Sequence, residues 1–378
     1  MSDSSSYTWQ QKWAAITPKP FAFLSLCGSL SILTHILTHP TRRRQVRHHI
    51  LLGLSAYDII HAFGMFLGTW PIPREMQNTT YLASGTEQTC TAQGFFMQLG
   101  GIAVPLYTVE LALYYLLVGS YGVAEEKLKK FELPLFHLLP CTVAIVTSLV
   151  GLLSYGPATL WCWQPVCAAT NSAACINRLV YYAVYLVCML GVIIIMTMMY
   201  SKVSAQERKI EKYRTNAATT AATTTGTDRS NNQQREKIKA SRQIANQAAF
   251  WIGAFLLSYI FGFIVRLMEL IEQGSVPDPF WALFTIFTPS QGFLNSLVYF
   301  RPIYMSRNPD SIITACLTCR CGRWTSRFIN HSIGVRRETN DPSDTQEIGP
   351  TQQANHGNSE EEKIEETADC LEEGVNRS

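Results

Sequence analysis

Seven stretches of the chain, each about 20 residues or longer and mostly apolar, constrain the fold more than anything else in the sequence. A hydrocarbon core about 30 Å thick takes roughly 20 apolar residues of helix to cross. The runs cover about 20–38, 49–70, 91–118, 133–155, 179–200, 244–271 and 280–300. In lipid the backbone must satisfy its own hydrogen bonds, so runs of this length read as helices rather than open strands. The fifth, LVYYAVYLVCMLGVIIIMTMMY, has no polar face with which a soluble helix could meet water. The expected fold is therefore all-α and membrane-embedded, a seven-helix bundle over 20–302 with an external segment 1–19, a basic loop 201–243 and a tail 303–378.

Charge sets the orientation. Charged residues make up only 16% of the chain and gather in the connections. The segments 39–48, 119–132 and 201–243 and the tail from Arg301 carry 26 of the 31 Lys and Arg. The other side holds only Lys12, Lys19, Arg74, Arg178 and Arg266. Because Lys and Arg concentrate in cytoplasmic loops, the amino terminus is placed outside and the tail inside. The chain opens on the polar MSDSSSYTWQQKW rather than a cleavable leader, so the first span is expected to serve as the insertion signal. The middle of loop 201–243, NAATTAATTTGTDRSNNQQ, and most of the tail read as disordered. The two ends of that loop read as helical extensions whose Lys and Arg face anionic lipid or a protein.

This topology gives several short signals a compartment. Asn78-Thr79-Thr80 is a glycan acceptor on the external side. Cys316, Cys319 and Cys321 lie on the cytoplasmic side after the last span, where acylation suits them better than zinc, since no second ligand pair follows at finger spacing. Externally, Cys90 sits at the mouth of span three, and Cys162, Cys167 and Cys175 share the loop after span four. Four cysteines allow three pairings; Cys90 with Cys162 is preferred, leaving Cys167 and Cys175 to close a second, smaller ring.

Ionisable and amide groups inside a membrane are costly and need partners. Asp58 in span two, Glu110 in span three and Asn295 in span seven all fall in the inner half of the bundle. Together they form a candidate switch in which hydration or protonation biases helix packing; helix–helix hydrogen bonding alone is the plainer alternative. Arg266 and Glu269, one turn apart at the outer end of span six, are candidates for a ligand vestibule or a solvated rim. No span contains Lys, which excludes a retinal Schiff base, and no HExxH, Walker loop, GxSxG or catalytic Cys–His pair is present. An enzyme, a metal centre, a cofactor and nucleic-acid binding are accordingly not expected.

Together the seven spans, the external amino terminus and the cysteine topping span three resemble the G-protein-coupled receptors. LSAYD, ending at Asp58, is similar to that superfamily's second-helix motif, and NSLVYF, running from Asn295 through Tyr299, to its seventh-helix Asn-Pro-x-x-Tyr motif with Ser296 in place of Pro. The pattern departs where rhodopsin-like members carry the Arg of an Asp-Arg-Tyr motif, a position that Tyr115 occupies here. YYLLVGSYGVAEEKLKKFE with QGFLNSLVYFRP looks more like divergent protist receptors of the cyclic-AMP-receptor branch. The resemblance implies a plasma-membrane receptor in which an extracellular ligand opens an inner cleft to a heterotrimeric G protein. Asp58, Glu110, Asn295 and Tyr299 would then form the switch, and Tyr115, Lys127, Lys129 and Lys130 the coupling face. A seven-helix ion or solute transporter, with Asp58 and Glu110 relaying the ion, is the competing expectation, although no internal repeat supports it.

Overall fold

The computed structural model describes residues 7–158, 160–164, 172–220, 228–272 and 278–307. The chain divides into a unit Met1–Tyr299, which holds the bundle, and a unit Phe300–Ser378, of which only the end of the last helix, through Arg307, is described.

Helix α1 (Trp9–Ile16) starts at a capping box in which Thr8 and Gln11 exchange side-chain and backbone hydrogen bonds. It leads through Thr17, itself in the helical region, into α2 (Pro18–Thr38), whose first turn holds Pro18 and Pro20. Proline is tolerated there because first-turn N–H groups have no helical partner. Helical structure thus begins within the segment expected to precede the first span, and the apolar helix runs from Gln11 to Thr38.

Helix α3 (Val46–Leu67) stops short of the expected Trp70 because Gly68 takes a positive φ of 55°, a conformation that favours a residue without Cβ. After a compact return loop, α4 (Glu87–Tyr115) opens on a Thr86/Thr89 capping box with Glu87 in its first turn, and keeps Pro105 within a continuous helix. It ends in a π-helical turn, Leu116–Ser120. Of its apolar window 78% is buried, against 22% for the fifth span, which makes α4 the central post of the bundle.

Helix α5 (Glu125–Phe131) is a short connector whose Glu125 carboxylate accepts from the Val46 N–H at the start of α3. It leads to α6 (Leu139–Val150) through a second π-type segment, Glu132–Leu138. Strands β1 (Gly156–Pro157) and β2 (Cys162–Trp163) form a small antiparallel hairpin pairing Gly156 with Trp163 and Pro157 with Cys162.

Two long helices follow, α7 (Ser172–Thr220) and α8 (Asp228–Glu272). Both run on past their apolar portions into the segment whose middle reads as disordered, so 216–220 and 228–234 are helical. Extending an existing helix by a residue costs far less than nucleating one, and the alanines and glutamines there favour it. Residues 221–227 and 308–378, the latter including Cys316, Cys319 and Cys321, lie outside the described residues.

Among the described residues, six helices are long and apolar enough to cross a membrane. The seventh expected span is present in two pieces, α9 (Asp278–Phe287) and α10 (Gln291–Arg307), separated by a 3-10 turn at Thr288–Ser290. Pro289 lies in that turn and supplies no N–H to an α-helical ladder. The Thr288 hydroxyl instead donates to the Ser258 carbonyl of α8 at 2.9 Å, tying the break to its neighbour.

The outward faces of α6, of the 3-10 turn that follows it and of α7 are apolar, with Val150, Leu153 and Val187 exposed by 65%, 99% and 68%. So broad an apolar surface belongs against lipid rather than water. Inside, small residues bring helices close. A Cβ on Gly28 would stand 2.7 Å from the Gly292 carbonyl oxygen, so α2 and α10 meet almost backbone to backbone. The Gly292 N–H donates to Ser25 Oγ at 2.6 Å across that contact. Small residues serve this purpose in membrane bundles, where packing and hydrogen bonds replace the hydrophobic drive.

Candidate functional site

The hairpin β1–β2 is pinned to the same end of the bundle at which α4 begins. Cys162 is bonded to Cys90, with Cα atoms 5.1 Å apart across 72 residues of sequence. Closing a loop of this length contributes about 4 kcal/mol in the chain-entropy view. A second clamp lies beside it. Buried Gln93, one turn along α4 from Cys90, accepts from the Cys162 N–H at 2.9 Å and donates at 2.8 Å to both the Gly64 and Gly68 carbonyls. Those carbonyls end α3, where no helical donor remains for them. One side chain therefore joins α3, α4 and the hairpin. Cys175 is also disulfide-bonded, while Cys167 lies outside the described residues.

The hairpin carries Trp161 and Trp163 inward. Trp163 Nε1 donates to Gln98 Oε1 of α4 at 2.8 Å, which fixes the indole plane. Beneath the two indoles is a partly open cavity of about 50 Å³. Its wall is a relay of rings. Trp163 meets Tyr181 edge-on at 4.8 Å, Tyr181 stacks on Tyr185 at 5.9 Å, and Tyr185 stacks on Phe263 at 6.2 Å; Trp161 packs on Phe284 at 5.6 Å. Such offset and edge-to-face contacts exploit the ring quadrupole and hold the wall rigid. The Arg266 guanidinium reaches the same space, 5.3 Å from the Trp163 ring and 5.5 Å from that of Phe284. His61, Tyr259 and Thr288 are polar members of the same lining.

One turn further along α3 from His61 is Asp58. It is 2% exposed, and its Oδ2 accepts from Asn295 Nδ2 at 2.7 Å. Asn295 in turn accepts from Gln291 Nε2 at 3.3 Å. This bridge joins α3 to α10 just beyond the 3-10 break. Glu110 stands apart from it: it is buried in α4, and its Oε2 has no hydrogen-bond partner among the described residues. The expected trio is thus a pair plus a separate carboxyl on α4. Tyr299, one turn past Asn295, places its hydroxyl 3.1 Å from His35 Nδ1 of α2 and its ring edge-on to His35 and His48.

Among the remaining expected positions, Tyr115 is buried to 4% exposure with its ring edge-on to Tyr114, whereas Lys127, Lys129 and Lys130 project from α5. Arg266 lines the cavity, while the Glu269 side chain lies outside the description. Asn78 is exposed in the loop after α3, between Gln77, whose carbonyl accepts from the Tyr7 hydroxyl, and Thr79, whose carbonyl accepts from Gln11 at 3.1 Å. Sequence reasoning passed over Gln93, Gln98, Tyr259 and both hairpin tryptophans. The string Trp161-Cys162-Trp163 was the available signal, because any bridge from Cys162 to the helix-three cysteine draws its two neighbours over the bundle.

The fold is an all-α membrane bundle like that of rhodopsin, and the chain is a multi-pass membrane protein. Squid rhodopsin superposes with a TM-score of 0.56 over 92% of this chain and 91% of its own, at 13% sequence identity. In sequence, an ascaroside receptor of Arthrobotrys oligospora is 24% identical over 183 residues, covering 48% of this chain and 44% of the relative. The chain therefore matches less than half the length of that receptor. That relative is named as a receptor. No sequence-family profile matches the chain.

Proposed function

We propose that this protein is a plasma-membrane receptor with its amino terminus outside, which binds an extracellular ligand in the aromatic cavity and passes the signal to a heterotrimeric G protein. The observation that carries this reading is the continuity between cavity and buried polar pair. His61 lines the cavity one turn from Asp58 on α3, and Thr288 lines it at the break that leads into Asn295 on α10. A ligand that presses on these residues acts on helices that the Asp58–Asn295 hydrogen bond holds together. It shifts their packing only insofar as it binds one arrangement more tightly than the other.

The charge asymmetry of the sequence supports the orientation. The disulfide-bonded hairpin falls on the side poor in Lys and Arg, where an oxidising compartment maintains such bridges. On the opposite side, Lys127, Lys129 and Lys130 of α5 offer a basic surface to anionic lipid or to the G protein.

The test is a screen for nucleotide exchange on co-expressed G proteins, with ascarosides among the compounds applied because the relative is named for them. Ligand-dependent exchange that Asp58→Asn alters at matched surface expression is the expected result. Solute or ion flux without exchange on any G protein overturns the receptor reading in favour of transport.

A further inference from the structure

We propose that His61, Met65 and Met97 form a binding site for a soft monovalent cation, of the Cu(I) or Ag(I) kind, in the wall of the aromatic cavity. All three line that cavity, and they are 5%, 2% and 4% exposed. Helix α3 supplies two of them four residues apart. The imidazole and the thioether therefore stand one above the other on one face, their Cβ atoms about 5–6 Å apart. Helix α4 brings the third across. Gly64 lies three residues past His61 and next to Met65, and its missing side chain leaves a notch in this face of α3. A Cβ at Gly64 would stand 2.8 Å from Met97 Sδ, so the sulfur occupies the notch itself. One turn further along α4, a Cβ on Gly100 would stand 2.5 Å from the His61 Cβ, so the backbone of α4 presses on the root of the imidazole. Two glycines thus bring the Met97 sulfur to within side-chain reach of His61 and Met65.

Donor chemistry selects the ion. Thioether sulfur is a soft, neutral donor that hard cations pass over, and together with imidazole it suits Cu(I). Donation from sulfur and nitrogen holds such an ion, so the site needs no carboxylate. Among the described residues no three His, Cys, Asp or Glu side chains gather where a metal could be held, so no harder donor set competes. The His61 ring makes no hydrogen bond among the described residues, and a buried imidazole without a partner is costly inside a membrane. Coordination through the neutral imidazole offsets that cost. The cavity volume of about 50 Å³ is less than the share of two waters, room for one ion and little more. Methionines that merely fill a core answer to no ion.

The probe is silver nitrate in chloride-free buffer, titrated into the full chain in lipid nanodiscs. Methionine methyl groups carry ¹³C and are read by NMR, and free thiols are first capped with N-ethylmaleimide. The chain has 10 methionines, and Met65→Leu and Met97→Leu assign two of the signals by their loss. Leu keeps roughly the volume of Met, so the fold is retained. About one equivalent of Ag⁺ is expected to shift the Met65 and Met97 signals and leave the others in place. In either Leu variant the remaining signal is expected to need at least about tenfold more Ag⁺, and His61→Phe is expected to weaken the response of both by as much. Magnesium nitrate at the same concentration is expected to shift neither.

Met65 and Met97 signals that stay in place, or that move no sooner than those of the other methionines, overturn the site. So does a response to Ag⁺ that His61→Phe leaves at wild-type strength. The wild-type titration decides the matter even where the His61→Phe chain does not fold. Only binding is read, so failure of the receptor reading shows as absent nucleotide exchange and leaves these signals unaffected.

Discussion

Replacing Gln93 by Leu keeps roughly the volume of a buried side chain and removes its three hydrogen bonds. The Cys162 N–H loses its acceptor, and the Gly64 and Gly68 carbonyls at the end of α3 lose their donor. A net 0.5–1.5 kcal/mol per bond gives about 2–4 kcal/mol in total. At roughly 2–4 °C per kcal/mol for a chain somewhat smaller than this one, the apparent melting midpoint in detergent should fall by about 5–10 °C. Heat denaturation of a membrane protein is commonly irreversible, so wild type and variant must be compared at one scan rate. Gln88→Leu, at an exposed position on the same helix, is the control and should change stability by no more than about 0.5 kcal/mol. Loosening the hairpin should also expose the Cys90–Cys162 bridge to faster reduction. A Gln93→Leu midpoint that matches wild type, with unchanged reduction kinetics, refutes the idea that this side chain clamps the hairpin to the bundle.

Asn295→Ala strips the Asp58 carboxyl of its hydrogen-bond donor and should cost about 1–3 kcal/mol, read as a lower melting midpoint; an unchanged midpoint would mean the pair contributes nothing to packing. Gly292→Val should abolish correctly assembled protein in size-exclusion chromatography, because even a Cβ at Gly292 would stand 2.7 Å from the Ser25 carbonyl. Gly191→Ala, where a Cβ meets nothing within 4 Å, should be silent in the same assay. Expressed in a eukaryotic cell, the wild-type chain should shift in mobility on endoglycosidase treatment and Asn78→Gln should not, whereas a shift that survives Asn78→Gln places the glycan elsewhere.

The membrane architecture is legible in the sequence because lipid leaves the backbone few solutions, and a run of apolar residues is a local pattern. Boundaries are harder. The stop of α3 at Leu67 depends on a positive φ at Gly68, and the early start of helix at Trp9 on a Thr8/Gln11 capping box weaker than any hydropathy signal. Asp58 and Asn295 can be singled out because a polar group inside a span needs a partner, but which groups meet depends on helix rotation. Glu110, at a similar depth, consequently stays out of that pair, its Oε2 without a hydrogen-bond partner among the described residues. Tyr115 shows the same gap, since its position in a motif says nothing of the buried Tyr114 edge contact. The cavity is the least legible feature. Its ring wall draws on the hairpin, α7, α8 and α9, and only tertiary packing brings those together.

The central claim is that a signal opens the end of the bundle opposite the hairpin to a G protein, and one crosslink addresses it directly. A Cβ on Gly119 would stand 2.6 Å from Ile244 Cγ2, so the end of the central helix and α8 touch at this point. Cysteines introduced together at Gly119 and Ile244 lie within bridging reach. The measurement is nucleotide exchange on a heterotrimeric G protein by the reconstituted double variant, before and after oxidation. Exchange that is lost on oxidation and returns on mild reduction is the expected result. Exchange at the same rate with the two helices locked together contradicts the account.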